Sequence, residues 1–141
     1  MRKKTILLLM AILGVIGLTL SIYLVQHHYA LAHETGFCDF SKTVSCSLVN
    51  QSSYAELFHI PVALYGVLYF VIFLSLLFFA YRKKSFAERY LLACSLSGFL
   101  FVFYLLYAEW KIGAICPWCT IVHIDIFILF TLAIFLYKKS I

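Results

Sequence analysis

Four cysteines carry the chemistry open to this sequence. Cys116-Pro117-Trp118-Cys119 is a CxxC, a spacing at which one helical turn lets two thiols close a disulfide. It stands at the head of an apolar stretch, where the first turn of a helix offers unpaired amides and the positive end of the dipole. Both favour an anionic sulfur, the nucleophilic form. Pro117 suits the first helical position, where its missing N–H costs nothing. Cys38 and Cys46 have seven residues between them in the polar stretch Phe37-Cys38-Asp39-Phe40-Ser41-Lys42-Thr43-Val44-Ser45-Cys46. Two such pairs allow three kinds of chemistry. Thiol–disulfide exchange between them would move electrons by attack of a thiolate on a disulfide sulfur, with no cofactor of its own. A static staple of the loop is the bland alternative. A four-thiolate zinc site is the third, but the first pair is spaced more widely than the usual two to four residues, roughly, of such sites. An extracellular setting also favours disulfides, so no metal is expected.

The elements that position these cysteines are spelled out by composition. The 141 residues are 65% hydrophobic and 12% charged, against roughly 25% charged in an average soluble domain. Four apolar stretches, 5–25, 60–81, 90–108 and 115–137, are each long enough to cross a hydrocarbon core of about 30 Å. A span in lipid must satisfy its own backbone and four segments cannot close a barrel, so each is helical. The expectation is an all-α integral membrane protein: one domain over residues 1–141, a four-transmembrane-helix bundle with a long outer loop at 26–59. No separate soluble catalytic domain fits, and the net charge of +5 reads as topology, not as a nucleic-acid surface. Arg2, Lys3, Lys4, Arg82, Lys83, Lys84, Arg89, Lys138 and Lys139 fall on one side of such a bundle, leaving Lys42 and Lys111 on the other. By the positive-inside rule both termini are cytoplasmic, and the cysteines of both pairs lie together on the extracytoplasmic side of the cell membrane. A relay between the pairs is then a better account than two unrelated staples. The alternative of a cleaved signal peptide, with Ala30-Leu31-Ala32 as its cleavage site, is disfavoured because the first apolar stretch exceeds the roughly 7–15 residues of a signal-peptide core.

In the outer loop, Ser52 or Ser53 can cap a short interfacial helix through 53–58, with Glu56 completing a capping box. Pro61 then opens the second span. The loop looks like a lid over the bundle. His123 falls four residues after Cys119 and seven after Cys116, on the same helical face, and suits hydrogen bonding or proton transfer. Asp125 lies deeper by about 9 Å at 1.5 Å per residue and is rotated away from that face. An intramembrane carboxyl is a functional candidate, although hydrogen bonds to Ser95 or Ser97 would also explain it. Cys94 reads as a small hydrophobe inside the third span. His27, His28 and His33 read as interfacial side chains before metal ligands. Most of Phe99, Phe101, Phe103, Tyr104 and Tyr107 read as packing or lipid-facing, and Trp110 and Trp118 as members of the interfacial aromatic belt.

The paired cysteines Cys38 and Cys46, the serine six residues on at Ser52, the Phe58-His59-Ile60-Pro61 approach to a span carrying Leu64-Tyr65-Gly66, and the CxxC opening the last span together resemble the vitamin K epoxide reductase family. The resemblance runs from the first span to the end of the chain. It implies a four-helix bundle around a quinone (ubiquinone, menaquinone or a related one) as electron acceptor, with the outer loop covering it. It further implies that Cys119 meets the quinone, Cys116 is its disulfide partner, and Cys46 shuttles electrons to Cys116. Cys38 would form the mixed disulfide with an extracytoplasmic thioredoxin-like protein. Ser52 would stand by the quinone as a hydroxyl donor, with Ser53 its rival. Microbial members often carry that thioredoxin-like domain fused; a chain of this length is expected to use a separate one. The animal enzymes place a tyrosine where this chain has His123 and an asparagine where it has Val62, which makes epoxide reduction the weaker alternative. Dithiol-driven quinone reduction that supports protein disulfide formation is the stronger one. A membrane protein binding metal through Cys and His is the rival from another class.

Overall fold

The computed structural model describes residues 2–29, 38–83 and 86–141. His33, Lys84 and the Ala30-Leu31-Ala32 stretch lie outside the described residues. Helix α1 runs over Lys3–Tyr29, a short α2 over Cys46–Asn50, α3 over Val62–Tyr81, α4 over Ala87–Ile112 and α5 over Pro117–Lys138. The four long helices are each long and apolar enough to cross a membrane, and they form an all-α membrane bundle. Each packs on two neighbours: α1 lies between α3 and α5, and α4 completes the ring against the same two. Met10, Phe70, Phe73, Leu91, Leu129 and Leu136 fill the centre.

Close approach of the helices depends on small residues, as expected where lipid supplies little apolar driving force between helices. A Cβ added at Gly17 of α1 would fall 2.2 Å from the Phe70 ring and 2.5 Å from a carboxylate oxygen of Asp125. One at Gly98 of α4 would fall 2.6 Å from the Tyr69 ring.

Helix α4 exceeds the apolar stretch 90–108 at both ends, because the carboxylates that ended that stretch are buried rather than solvated. Glu88 pairs with Lys3 of α1, and Glu109 turns inward at 8% exposure. The helix stops at Gly113, whose left-handed φ of 73° lets its N–H reach the Glu109 carbonyl at 2.9 Å; glycine adopts this conformation without Cβ strain.

The outer loop departs from the expected helix over 53–58. Only Ser53–Ala55 forms a single 3-10 turn. Glu56–Leu57 (β1) then pairs antiparallel with Ile60–Pro61 (β2), Glu56 opposite Pro61 and Leu57 opposite Ile60. Phe58 and His59 make the turn with φ of 54° and 62°, the positive pair a two-residue hairpin of the primed type requires. Glu56 leaves the capping-box position because tertiary contact outbids local propensity: it reaches Nε2 of His28 at 3.3 Å.

Candidate redox site

The two cysteine pairs are positioned by different means. Cys116 is the N-cap of α5 with extended backbone, Pro117 follows at the first helical position, and the Cys119 N–H donates to Cys116 Sγ at 3.2 Å. The pair closes a disulfide across one turn, Cα to Cα 5.2 Å. Cys38 and Cys46 close a second, Cα to Cα 5.6 Å, and Cys46 begins α2. Asp39 organises this loop: its carboxylate accepts from the Ser45 hydroxyl, the Ser47 hydroxyl and the Ser47 N–H. Ser45 in turn caps α2 by accepting from the Leu48 N–H at 3.2 Å.

The pairs are brought together by a backbone bridge just before Cys46 and Cys116. Val44 pairs in parallel with Ile115: the Ile115 N–H donates to the Thr43 carbonyl at 2.8 Å, and the Ser45 N–H donates to the Ile115 carbonyl at 3.0 Å. The next residues are Cys46 and Cys116, whose sulfurs are 3.3 Å apart. Cys38, Cys46 and Cys116 Sγ all lie within 4.8 Å of one another, in a buried cluster with Leu24, Val49, Ala63, Trp118 and Cys119 around it. This is contact geometry for exchange between the pairs once one of them is reduced to thiols. A sulfur in a disulfide is not a thiolate ligand, so three close sulfurs do not by themselves make a metal site.

Below the cysteines a cavity of about 340 Å³ opens between α1, α3, α4 and α5, within the range of about 300–1,000 Å³ for small-molecule sites. Cys119 and His123 line it, with Tyr65, Tyr69, Phe101 and Glu109. Among the described residues, His123 Nδ1, Glu109 Oε1 and the Tyr69 hydroxyl have no hydrogen-bond partner. A flat apolar ring bearing two carbonyl oxygens fits such a wall, which has aromatic faces and unpartnered polar atoms.

Ser52 is not on that wall. Its hydroxyl donates to the Val49 carbonyl at 2.8 Å, and Ser53 is exposed; Val49, Asn50, Tyr54 and Ala55 are the described loop residues that reach the cavity. Asn50 was not singled out from sequence, where an Asn in a polar loop carries no signal. It donates to the Leu24 carbonyl at 2.9 Å, and its own carbonyl pairs with His28 Nδ1 at 2.6 Å. The histidines His27 and His28 thus fasten the loop to the end of α1, the first through its 3.4 Å approach to the Asn50 amide.

Other expectations divide. Of the aromatic run on α4, only Phe101 lines the cavity; Phe99 stacks on Phe130 at 4.7 Å between centroids. Trp118 packs edge-on against Tyr23, and exposed Trp110 lies under Lys111. Asp125 is buried beside Gly17 without reaching either serine: the hydroxyls of Ser95 and Ser97 go to the carbonyls of Leu92 and Cys94, and both Asp125 oxygens lack a partner among the described residues.

Four spanning helices and two adjacent disulfides define a multi-pass membrane protein with a thiol–disulfide centre. The model of the vitamin K epoxide reductase family matches residues 8–134, nearly the whole chain, and the protein belongs to that family. It is therefore a membrane oxidoreductase acting through thiols and disulfides. No curated protein matches the sequence.

Proposed function

We propose that this protein takes electrons from a reduced extracytoplasmic thioredoxin-like protein and passes them through Cys38/Cys46 and then Cys116/Cys119 to a membrane quinone, so that its output is protein disulfide bonds. The observation that carries the reading is the 3.3 Å contact of Cys46 with Cys116, combined with the opening of Cys119 onto the cavity. Once the outer pair is reduced, the Cys46 thiolate attacks Cys116 Sγ and the Cys116–Cys119 bond breaks, releasing Cys119 as thiolate. Attack by Cys38 on Cys46 restores the outer disulfide and releases Cys116, and the two protons given up by the outer thiols are balanced by two taken up on Cys116 and Cys119. Two electrons have then moved inward with no net bond lost. The quinone supplies the two-electron acceptor. Cys119 and His123 face it in this reading, and Ser52 helps hold the loop that roofs it.

Cys38 is 2% exposed and Cys46 1%, so a partner thiol reaches this pair only when the structure around it moves. The turn at 40–44 is closed by the Phe40 and Ser41 N–H groups donating to the Val44 carbonyl, and the Thr43 carbonyl and Ser45 N–H tie its end to Ile115. The distribution of Lys and Arg orients both termini to the cytoplasm and both pairs outward.

The test is anaerobic: purified protein, a reduced thioredoxin-like substrate and a short-chain quinone, with quinone absorbance followed for wild type and Cys119→Ala. Turnover in wild type that vanishes in the variant supports the relay. Wild type that stays inactive with several quinones and partners while its outer thiols hold zinc replaces it with the metal-binding reading.

A further inference from the structure

Reduction of a quinone by a dithiol moves protons as well as electrons, and the reading above leaves the proton carriers of the inner pair unnamed. Glu109 has the placement for this. It is on the last full turn of α4, at the outer end of the cavity, 8% exposed. Among the described residues it is the only carboxyl on the cavity wall. The backbone N–H of Cys116 is directed at its carboxyl group, while Oε1 has no partner among the described residues. No cation among the described residues pairs with it: Lys111, two positions on, lies over the rings of Tyr107 and Trp110. The other titratable groups on the wall are Cys119 and His123 from α5, Tyr65 and Tyr69 from α3, and Tyr54 from the loop. Tyr65 is engaged, donating to the Leu57 carbonyl at 3.1 Å. A buried carboxyl without an ion pair is costly to keep. Capping Cys116 would need only one of its oxygens.

We propose that Glu109 is a proton-transfer residue for oxidation of the Cys116/Cys119 dithiol by the quinone, an inference that rests on the quinone reading above. As the Cys116–Cys119 bond forms, two S–H bonds break and two electrons go to the quinone. One thiol proton passes to the Glu109 carboxylate and from it to one quinone oxygen; the other reaches the second oxygen through His123. Two O–H bonds form, and Glu109 and His123 end as they began.

The experiment uses the 141-residue chain in lipid nanodiscs, reduced with a small dithiol and mixed with a short-chain quinone. Wild type, Glu109→Gln and Glu109→Ala are compared with and without added formate. Exchange between the outer and inner pairs is followed separately by alkylation trapping. Gln keeps an acceptor for the Cys116 N–H but cannot carry the proton, so quinone turnover should fall about 100-fold, the lower end of general acid–base contributions, with exchange unchanged. Formate, a diffusible carboxylate, should restore turnover in Glu109→Ala and leave Glu109→Gln low. Wild-type turnover with an equally active Glu109→Gln overturns the Glu109 proposal alone. Loss of turnover without formate rescue, or with exchange slowed in parallel, also overturns it and makes Glu109 a support for Cys116. Absence of turnover in wild type overturns the quinone reading and this inference with it.

Discussion

The two cysteine pairs are held in opposite ways. Cys116 and Cys119 are placed by their own helix: the N-cap, Pro117 and one turn of backbone bring the sulfurs together. Cys38 and Cys46 are placed by their surroundings: Asp39 ties Ser45 and Ser47, the Val44–Ile115 bridge sets the height of the loop, and His28 clasps its far side. A pair built into a helix terminus has its spacing set by the backbone of that one turn. A pair held by side chains on a loop has no such local constraint, which suits the one that in the proposed relay meets both a soluble partner and Cys116.

If that division is right, the pairs fail differently. The largest effect comes from the sulfurs. With a small dithiol that reduces the inner pair directly, Cys46→Ser should keep quinone turnover while losing all turnover driven by a thioredoxin-like protein; Cys119→Ser should lose both. Equal behaviour of the two variants in both assays would break the comparison.

Next is Gly98→Leu. Its side chain must displace the Tyr69 ring, which lines the cavity, so the KM for quinone should rise and stability should fall by about 1–3 kcal/mol, the usual cost of overpacking. Thermal unfolding and quinone titration measure the two effects, and exchange between the pairs should stay at the wild-type rate.

Asp39→Ala acts on the other region. It removes the acceptor of three hydrogen bonds beside Cys46, so trapping of the Cys46–Cys116 mixed disulfide should slow about tenfold, equivalent to roughly 1.4 kcal/mol. Direct reduction of quinone through Cys119 should be unchanged. Smallest is Glu56→Gln, which weakens a half-exposed contact to His28. Its effect on stability should be under about 1 kcal/mol and should shrink with added salt.

Much of the molecule was legible because it is local. Apolar runs of spanning length give four helices whatever packs beside them, since backbone in lipid has no other partner. The CxxC reads as a disulfide because its two residues are one turn apart on the same chain. His123 reads as a neighbour of Cys119 by helical period, and it does share the cavity wall with Cys119. The capping box at 53–56 was legible in the same sense and misled: the hairpin and the His28 contact outweigh a weak local preference. Asn50 and Glu109 gave no signal, one an ordinary loop residue and the other the apparent end of a span.

The sequence alone determined the bundle, the two pairs and the chemistry that sulfur at those spacings allows, because each follows from relations within a helix or across a short loop. Residue spacing did not say which sulfur of one pair meets which of the other; the family resemblance implied Cys46 with Cys116, and the tertiary structure supplies the contact. Cys46 and Cys116 are 70 residues apart in the chain, and the Val44–Ile115 bridge and the packing of α2 on α1 and α5 bring them into contact. Helix packing likewise encloses the cavity and turns Glu109 toward it, since burial belongs to the assembled helices and not to any one of them.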